Sequence, residues 1–237
     1  MNFRNNFRVL CVAFVLAPCL AAAHHGQDFL LVESPAVPHP GSAYLIANAQ
    51  AAISDDAEEQ ASFEPALLFG VTPRIAFELH AHSEKLEGES WAYEATAPSI
   101  HLLLTDPENE AGPKVGMSAE FEFASEAGAP DNSEVRLSVE NDGGQNKWAG
   151  NLIASREQGG STELGVALGF RHQIRAGFAL GAEGQGSFEH AQGAQLLATT
   201  YFEKEAFGTF KIGLGGQRIQ DGAFEPAIHL GLVLRVH

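Results

Sequence analysis

Over Ile228 to Val236 (I-H-L-G-L-V-L-R-V) apolar side chains take every second position, Ile228, Leu230, Leu232, Leu234 and Val236, with His229, Gly231, Val233 and Arg235 between them. A period of two is the mark of a strand with one face buried in an apolar environment. The sequence stops one residue later, at His237. An apolar face running to the end of the chain is expected of a barrel that closes and inserts through its final strand, and is unusual for a soluble sandwich. Beyond the first 23 residues no apolar run approaches the roughly 20 residues that a membrane helix needs, so a membrane-spanning fold of this sequence has to be a barrel.

The first residues point to export. Arg4 and Arg8 make a positive start, Val9 to Leu16 an apolar core too short to span a bilayer, and Ala21-Ala22-Ala23 a small-residue cleavage site. Residues 1–23 are therefore expected to be a signal peptide cut after Ala23. A lipoprotein signal at Leu16-Ala17-Pro18-Cys19 is the competitor, disfavoured because Pro18 stands where a small flexible residue is wanted. Cys11 and Cys19 are the only cysteines, so a disulfide-stapled domain is excluded for the exported chain. The formal charge of −16 becomes about −18 once Arg4 and Arg8 are removed, which argues against a nucleic-acid partner.

Residues 24–41 carry Pro35, Pro38 and Pro40, alternate poorly, and are expected to form an extended arm. Residues 42–237 then divide into alternating segments separated by turn residues. A hairpin stands out at Phe63 to Ser83: Phe63, Leu67, Phe69 and Val71 share one face, Thr72-Pro73-Arg74 turns the chain, and Ile75, Phe77, Leu79 and Ala81 continue that face opposite Glu78, His80 and His82. In Trp91 to Thr105 the outward set is expected to change at Pro98, from Trp91, Tyr93 and Ala95 to Ile100, Leu102 and Leu104. Continuing to the C-terminus, the count reaches about 12 strands of the length a tilted membrane strand requires. Short turns are expected after strands 2, 6, 8 and 10 and a longer one after strand 4, an arrangement that fits a periplasmic N-terminus. The fold expected is an all-β, closed, antiparallel, up-and-down transmembrane barrel. A soluble lipocalin-like or jelly-roll barrel would alternate similarly with its apolar face turned inward; export, the lack of cysteine, small residues on the polar face and the terminal strand favour the membrane version.

Leu68-Phe69-Gly70-Val71-Thr72-Pro73-Arg74-Ile75-Ala76-Phe77-Glu78-Leu79 resembles the outer-membrane barrel family named after the phenol-degradation MetA pathway, often labelled transporter-like. Gln173 to Glu183 and Phe210 to Gly215 look like later hairpins of that family, so the likeness covers about half of the exported chain. It implies an outer-membrane barrel handling small solutes and no defined activity. Such barrels usually end in an aromatic residue read by the insertion machinery, where this chain has His237.

With the apolar faces toward lipid, the opposite faces would line a lumen containing Glu78, His80, His82, His101, Glu120, Glu122, Arg136, Glu183 and Arg235. Acids dominate, so an open lumen is expected to prefer cations through its field. The alternative is a blocked lumen in which Glu and Arg of neighbouring strands interlock. No resident cofactor is required, but His80 and His82, two apart on one face beside Glu78, could share copper or zinc, with His101 on the next strand as a further ligand. His24 and His25, next to the amine freed by cleavage, form a second copper-binding candidate. Ser99 and His101 also share a face, but the sequence places no acid to orient the imidazole, so hydrolase chemistry is not expected and the chain is read as a non-enzyme. The whole is read as a passive outer-membrane conduit of a Gram-negative bacterium, its partners lipid, the insertion machinery and a small solute; the alternative is a non-conducting structural or copper- or zinc-binding barrel.

Overall fold

In the computed structural model, which describes residues 28–53, 59–86, 88–108, 112–126, 129–189, 194–204, 208–218 and 224–236, twelve antiparallel strands close on themselves. In chain order they are β1 (Ala43–Ala52), β2 (Glu59–Thr72), β3 (Ile75–Leu86), β4 (Ala92–Leu103), β5 (Lys114–Ala124) and β6 (Asn132–Asp142), followed by β7 (Asn146–Glu157), β8 (Thr162–Arg175), β9 (Phe178–Ser187), β10 (Gln195–Lys204), β11 (Gly208–Arg218) and β12 (Phe224–Val236). Each strand pairs with its neighbours in sequence, and β12 returns to β1 through a register that sets Tyr44 opposite Arg235. Closure satisfies the backbone of the terminal strand and leaves no edge.

The alternating side chains sort as the sequence pattern predicts. Ile228 and Leu230 are exposed on the outer wall while His229, Gly231 and Val233 are buried within. Leu67, Phe69, Phe77, Leu79, Leu152, Leu168 and Leu214 extend the apolar exterior. Aromatic rings stand at both rims, Phe69, Phe77, Trp148, Phe170 and Phe202 toward one and Phe63, Tyr93, Phe121, Phe123 and Phe224 toward the other, the girdles of a transmembrane barrel.

One phase assignment is corrected. Ala95 is buried inside the barrel, with Ala97, Ser99 and His101 in phase behind it, while Tyr93 faces out. The ladder between β3 and β4 steps from His82↔Ala95 to Ser83↔Tyr93, so a bulge at Glu94 resets the alternation, not Pro98. Pro98 simply occupies an outward position opposite Leu79.

The rim at which β1 begins and β12 ends carries the tight connections: two residues between β2 and β3 and between β8 and β9, three between β6 and β7, and a longer one between β4 and β5. The polypeptide before β1 enters the barrel from this turn rim. Residues 28–38 form an irregular arm that folds into the lumen, where Asp28, Phe29, Val32, Ser34 and Val37 are buried.

Candidate functional site

The wall is shaped to receive the arm. Phe29, 1% exposed, lies over Gly169, where a β-carbon would come within 2.7 Å of its ring. Leu30 fits against Gly213 and Gly231, whose β-carbons would approach it at 2.8 and 2.7 Å. Pro35 rests on Gly116, and the backbone of Pro38 and His39 presses on Gly70 at 2.4 Å from an imagined β-carbon. Any larger residue at these inward positions would take up space now filled by the arm. Phe29 and Val32 form an apolar cluster with Ala149, Ala167, Ala179 and Tyr201, and Val37 joins a second with Tyr44, Ile46, Leu68 and Val233. Full burial of side chains of this size is worth about 1.5–3 kcal/mol each, so Phe29 and Val32 alone give the arm a substantial hold.

Polar groups fix its course. Glu183 accepts hydrogen bonds from the backbone N–H groups of Leu30 and Leu31 at 2.7 Å each, and from the Tyr201 hydroxyl at 2.7 Å. Lys211, fully buried, donates to the Phe29 carbonyl at 2.6 Å. Asn151 reads the Glu33 backbone from both sides, accepting from its N–H and donating to its C=O, each at 2.8 Å. Ser34 donates to Glu140 at 2.7 Å. Asp28 pairs with Lys147, which also reaches Glu140 at 3.2 Å and Asp142 at 3.0 Å, and Asp28 lies 3.6 Å from Arg171, itself paired with Glu203. Burial pushes the Asp28 carboxyl upward, but Lys147 and Arg171 outweigh it and hold the group below the usual carboxylate range.

Glu33 sits at the deepest part of the arm beside His101. The imidazole places Nε2 at 2.9 Å from Glu78 Oε2 and Nδ1 at 3.6 Å from Glu33 Oε1. Ser118 adds a hydrogen bond to Glu33 at 3.0 Å. Burial pushes the Glu33 carboxyl up, and hydrogen bonding and charge from His101, with Arg136 and Ser118, bring it below its ordinary range. Ser99 Oγ is 3.0 Å from His101 Nε2, so the structure supplies the acids that the sequence could not place. Glu78 and Ser99 both lie within hydrogen-bond reach of Nε2 and Glu33 faces Nδ1, so the ring is held between a carboxylate of the wall and one of the arm. His101 is thereby a clamp between arm and wall.

Above the arm, toward the rim of longer loops, a cavity of about 270 Å³ remains, floored by Leu30 to Glu33. Its two sides differ. Strands β2 to β6 supply Glu64, Glu78, His80, Glu120, Glu134 and Arg136; strands β9, β10, β12 and β1 supply Gln185, Gln195, His229, Asn48 and Gln50. His80 lies 3.6 Å from Glu120 and 4.0 Å from Glu78, His82 lies 3.7 Å from Glu64, and Arg136 pairs with Glu134. Of the lumen residues expected from sequence, Glu78, His80, His101, Glu120 and Arg136 surround this cavity. Glu183 is instead consumed by the arm, Glu122 sits half-buried farther along β5, and Arg235 lies at the β1–β12 seam. His80 and His82 turn toward different carboxylates, and among the described residues no three His, Cys, Asp or Glu side chains converge as a metal site. His24 and His25 lie outside the described residues.

The arm residues Asp28, Glu33 and Ser34 are missing from the sequence-derived set, as are Glu140, Lys147, Asn151 and Lys211, which hold the arm, and Glu64, Asn48 and Gln195 at the cavity. Two signals pointed to the arm: the apolar run Phe29 to Val32 inside an otherwise proline-rich stretch, and glycines at inward positions of β2, β5, β8, β11 and β12.

No protein-family model matches the sequence, and no curated protein matches it. Solved structures do share its fold. A KdgM porin superposes with a TM-score of 0.60 at 8% identity, over 83% of this chain and 99% of the porin. The COG4313 outer membrane channel from Pseudomonas putida F1 superposes with a TM-score of 0.58 at 12% identity, over 90% of this chain and all of the channel. The KdgM porin in complex with disordered oligogalacturonate gives 0.59 at 8% identity, over 83% and 99% of the two chains. At these identities the likeness establishes the barrel fold.

Proposed function

We propose that the chain is an outer-membrane channel for small polar solutes, closed while its N-terminal arm occupies the lumen and conducting when the arm leaves it. The carrying observation is that the turn-side half of the lumen is filled by a segment separable from the wall. A barrel meant to be permanently solid could interlock its own side chains across the lumen; here Glu183, Asn151, Lys211, Lys147 and His101 spend their hydrogen bonds and charge on the arm. The fold shared with a porin and an outer-membrane channel supports the same conclusion.

In this reading the signal-like residues 1–23 take the chain across the inner membrane and the turn rim, with the arm, faces the periplasm of a Gram-negative bacterium; the short turns at that rim support the orientation. Lipid meets the apolar wall, and insertion relies on the terminal strand with His237 in place of an aromatic residue. Membership of the phenol-degradation MetA type rests on the residues of the β2–β3 hairpin. The acid-rich cavity favours cations over anions, which sets this lumen apart from a porin that accommodates an oligogalacturonate, a chain of carboxylates. A metal role for His80 and His82 gains nothing from the arrangement of their side chains.

Planar-bilayer recording on the intact protein and on a form lacking residues 28–38 tests the channel. Near-silence of the intact barrel and cation-selective steps after deletion are expected. Silence of both forms, with the deleted protein shown to be folded by heat-modifiable gel mobility, would establish the second reading, a structural barrel; the depth at which Lys211 and Glu183 capture the arm is the observation in its favour.

A further inference from the structure

The geometry points to a binding site for a small, donor-rich organic cation, a primary ammonium or guanidinium compound, in the cavity above the arm. The site has two unlike sides, and each calls for part of the same ligand. On the β2–β6 side the carboxylates Glu33, Glu64, Glu78, Glu120 and Glu134 face the cation Arg136. Even with His80 and His101 charged, carboxylates outnumber the cations. Glu33 and Glu78 are held by His101, and Glu134 by Arg136, which also acts on Glu120, whereas the ion pairs that Glu64 and Glu120 make among the described residues are to imidazoles, at 3.7 and 3.6 Å. Negative charge is thus left over within the cavity, and a monatomic counter-ion finds no converged ligand set among the described residues.

The opposite side carries the independent observation. His229 is 7% exposed, lines the cavity, and makes no hydrogen bond or ion pair among the described residues. Asn48 on β1 and Gln195 on β10 line the same cavity, and Asn48 Oδ1 and Gln195 Oε1 are buried with no donor directed at them. Buried polar groups are normally satisfied, and an imidazole together with two amide oxygens without donors marks a surface that awaits hydrogen bonds from outside the protein. A monatomic cation would answer the charge and a neutral polyol the hydrogen bonds; an alkylammonium or guanidinium answers both, its charge on the β2–β6 side and its remaining N–H groups, or a second amine, on the His229 side. The floor made by Leu30, Leu31 and Val32 gives its hydrocarbon portion an apolar surface.

This inference builds on the reading of the cavity as a solute entrance, yet binding to the closed barrel is measurable whether or not the barrel conducts. The test is calorimetric titration of the intact protein in detergent with 1,4-diaminobutane, alongside 1,4-butanediol and succinate, which share its carbon chain but differ in charge. Saturable binding of the diamine alone is expected. The affinity should fall about tenfold in the Glu120→Gln/Glu134→Gln double variant and about as much in His229→Leu, which leaves the carboxylates in place. His229→Gln should recover part of the loss. Absence of diamine binding, equal binding of the diol, or full affinity in His229→Leu would overturn the proposal, the last because only a diffuse field would then be acting. The wild-type comparison of the three ligands needs no variant to fold. A silent barrel that binds the diamine leaves this inference intact while removing the channel; a conducting barrel that does not bind it does the reverse.

Discussion

The two halves of the lumen are built by the same twelve strands, with the same alternation, yet they are filled in opposite ways. Toward the turn rim small inward positions, Gly70, Gly116, Ala149, Ala167, Gly169 and Ala179, make room for the arm, and the charged ones among them, Glu140, Lys147, Glu183 and Lys211, are bonded to it. Toward the loop rim the inward positions are acids, imidazoles and amides around a cavity. The difference teaches that inward residue size, more than strand number, decides whether a barrel of this width is solid or open. Where the wall recedes, a segment of the chain has moved in and met the charges beside it; where acids, imidazoles and amides project without such a segment, space is left for solute.

Reversing that relation at one position should have the largest effect. Gly169→Val puts a branched side chain where the Phe29 ring now lies, 2.7 Å from the β-carbon position. It should expel the arm and raise conductance as far as deletion of residues 28–38 does, while heat-modifiable mobility shows the barrel still closed. Next comes the charge cluster at the turn rim. Lys147→Met leaves Asp28 and Glu140 facing each other without their shared cation, at a cost of about 3–5 kcal/mol to arm docking. Increased protease cleavage within residues 28–38 would register it. Phe29→Ala removes the apolar anchor alone and should cost about 3 kcal/mol, near the lower end for a buried aromatic because the arm can settle over Gly169.

Acidification probes the same half more gently. Asp28 and Glu33 are both held below the ordinary carboxylate range, so at neutral pH each is charged and its pairing with Lys147, Arg171 and His101 is fully in force. A depressed folded-state pKa gives stability that is complete above the ordinary value and drains away as pH falls through it toward the depressed one. Arm docking should therefore hold at neutral pH and loosen on acidification through and below the usual carboxylate range, read as rising open probability in bilayers. Asp28→Asn should flatten that dependence. The smallest effect belongs to the upper half: Glu120→Gln with Glu134→Gln should lower cation-over-anion selectivity a few-fold in the arm-deleted barrel and leave docking of the arm in the intact protein untouched, since neither residue contacts it.

The barrel was legible in the sequence because its cause is periodic. Each strand has to alternate to divide lipid from lumen, and Ile228 to Val236 or Phe63 to Ser83 display the division residue by residue. The partnership of β12 with β1 near Tyr44 followed from the need to close the edge. The bulge at Glu94 was not visible, because Trp91, Tyr93 and Ala95 continue an alternating pattern through the residue at which the ladder slips. The interior was legible only in part. Which residues face inward follows from parity, but what they face depends on chain that carries no periodic signal: proline at 35, 38 and 40 marks residues 24–41 as irregular and says nothing of their place in the lumen. For that reason the acids at His101 went unplaced: besides Ser99 the ring meets Glu78 on the neighbouring strand and Glu33, 68 positions away on the arm.

A single cross-link tests the seated arm most directly. With residues 1–23 removed the chain holds no cysteine, so a pair introduced by Pro35→Cys and Gly116→Cys would carry the only thiols. The β-carbon position at Gly116 is 2.8 Å from the β-carbon of Pro35, within reach of a disulfide after the backbones part by about 1 Å. Mild oxidation of the barrel in membranes should give a faster-migrating band when the denatured chain is run without reductant, which reductant reverses, and a barrel that stays silent even on acidification until it is reduced. A chain whose two thiols remain free and fully alkylated under the same oxidation would place the arm outside the lumen and contradict the account.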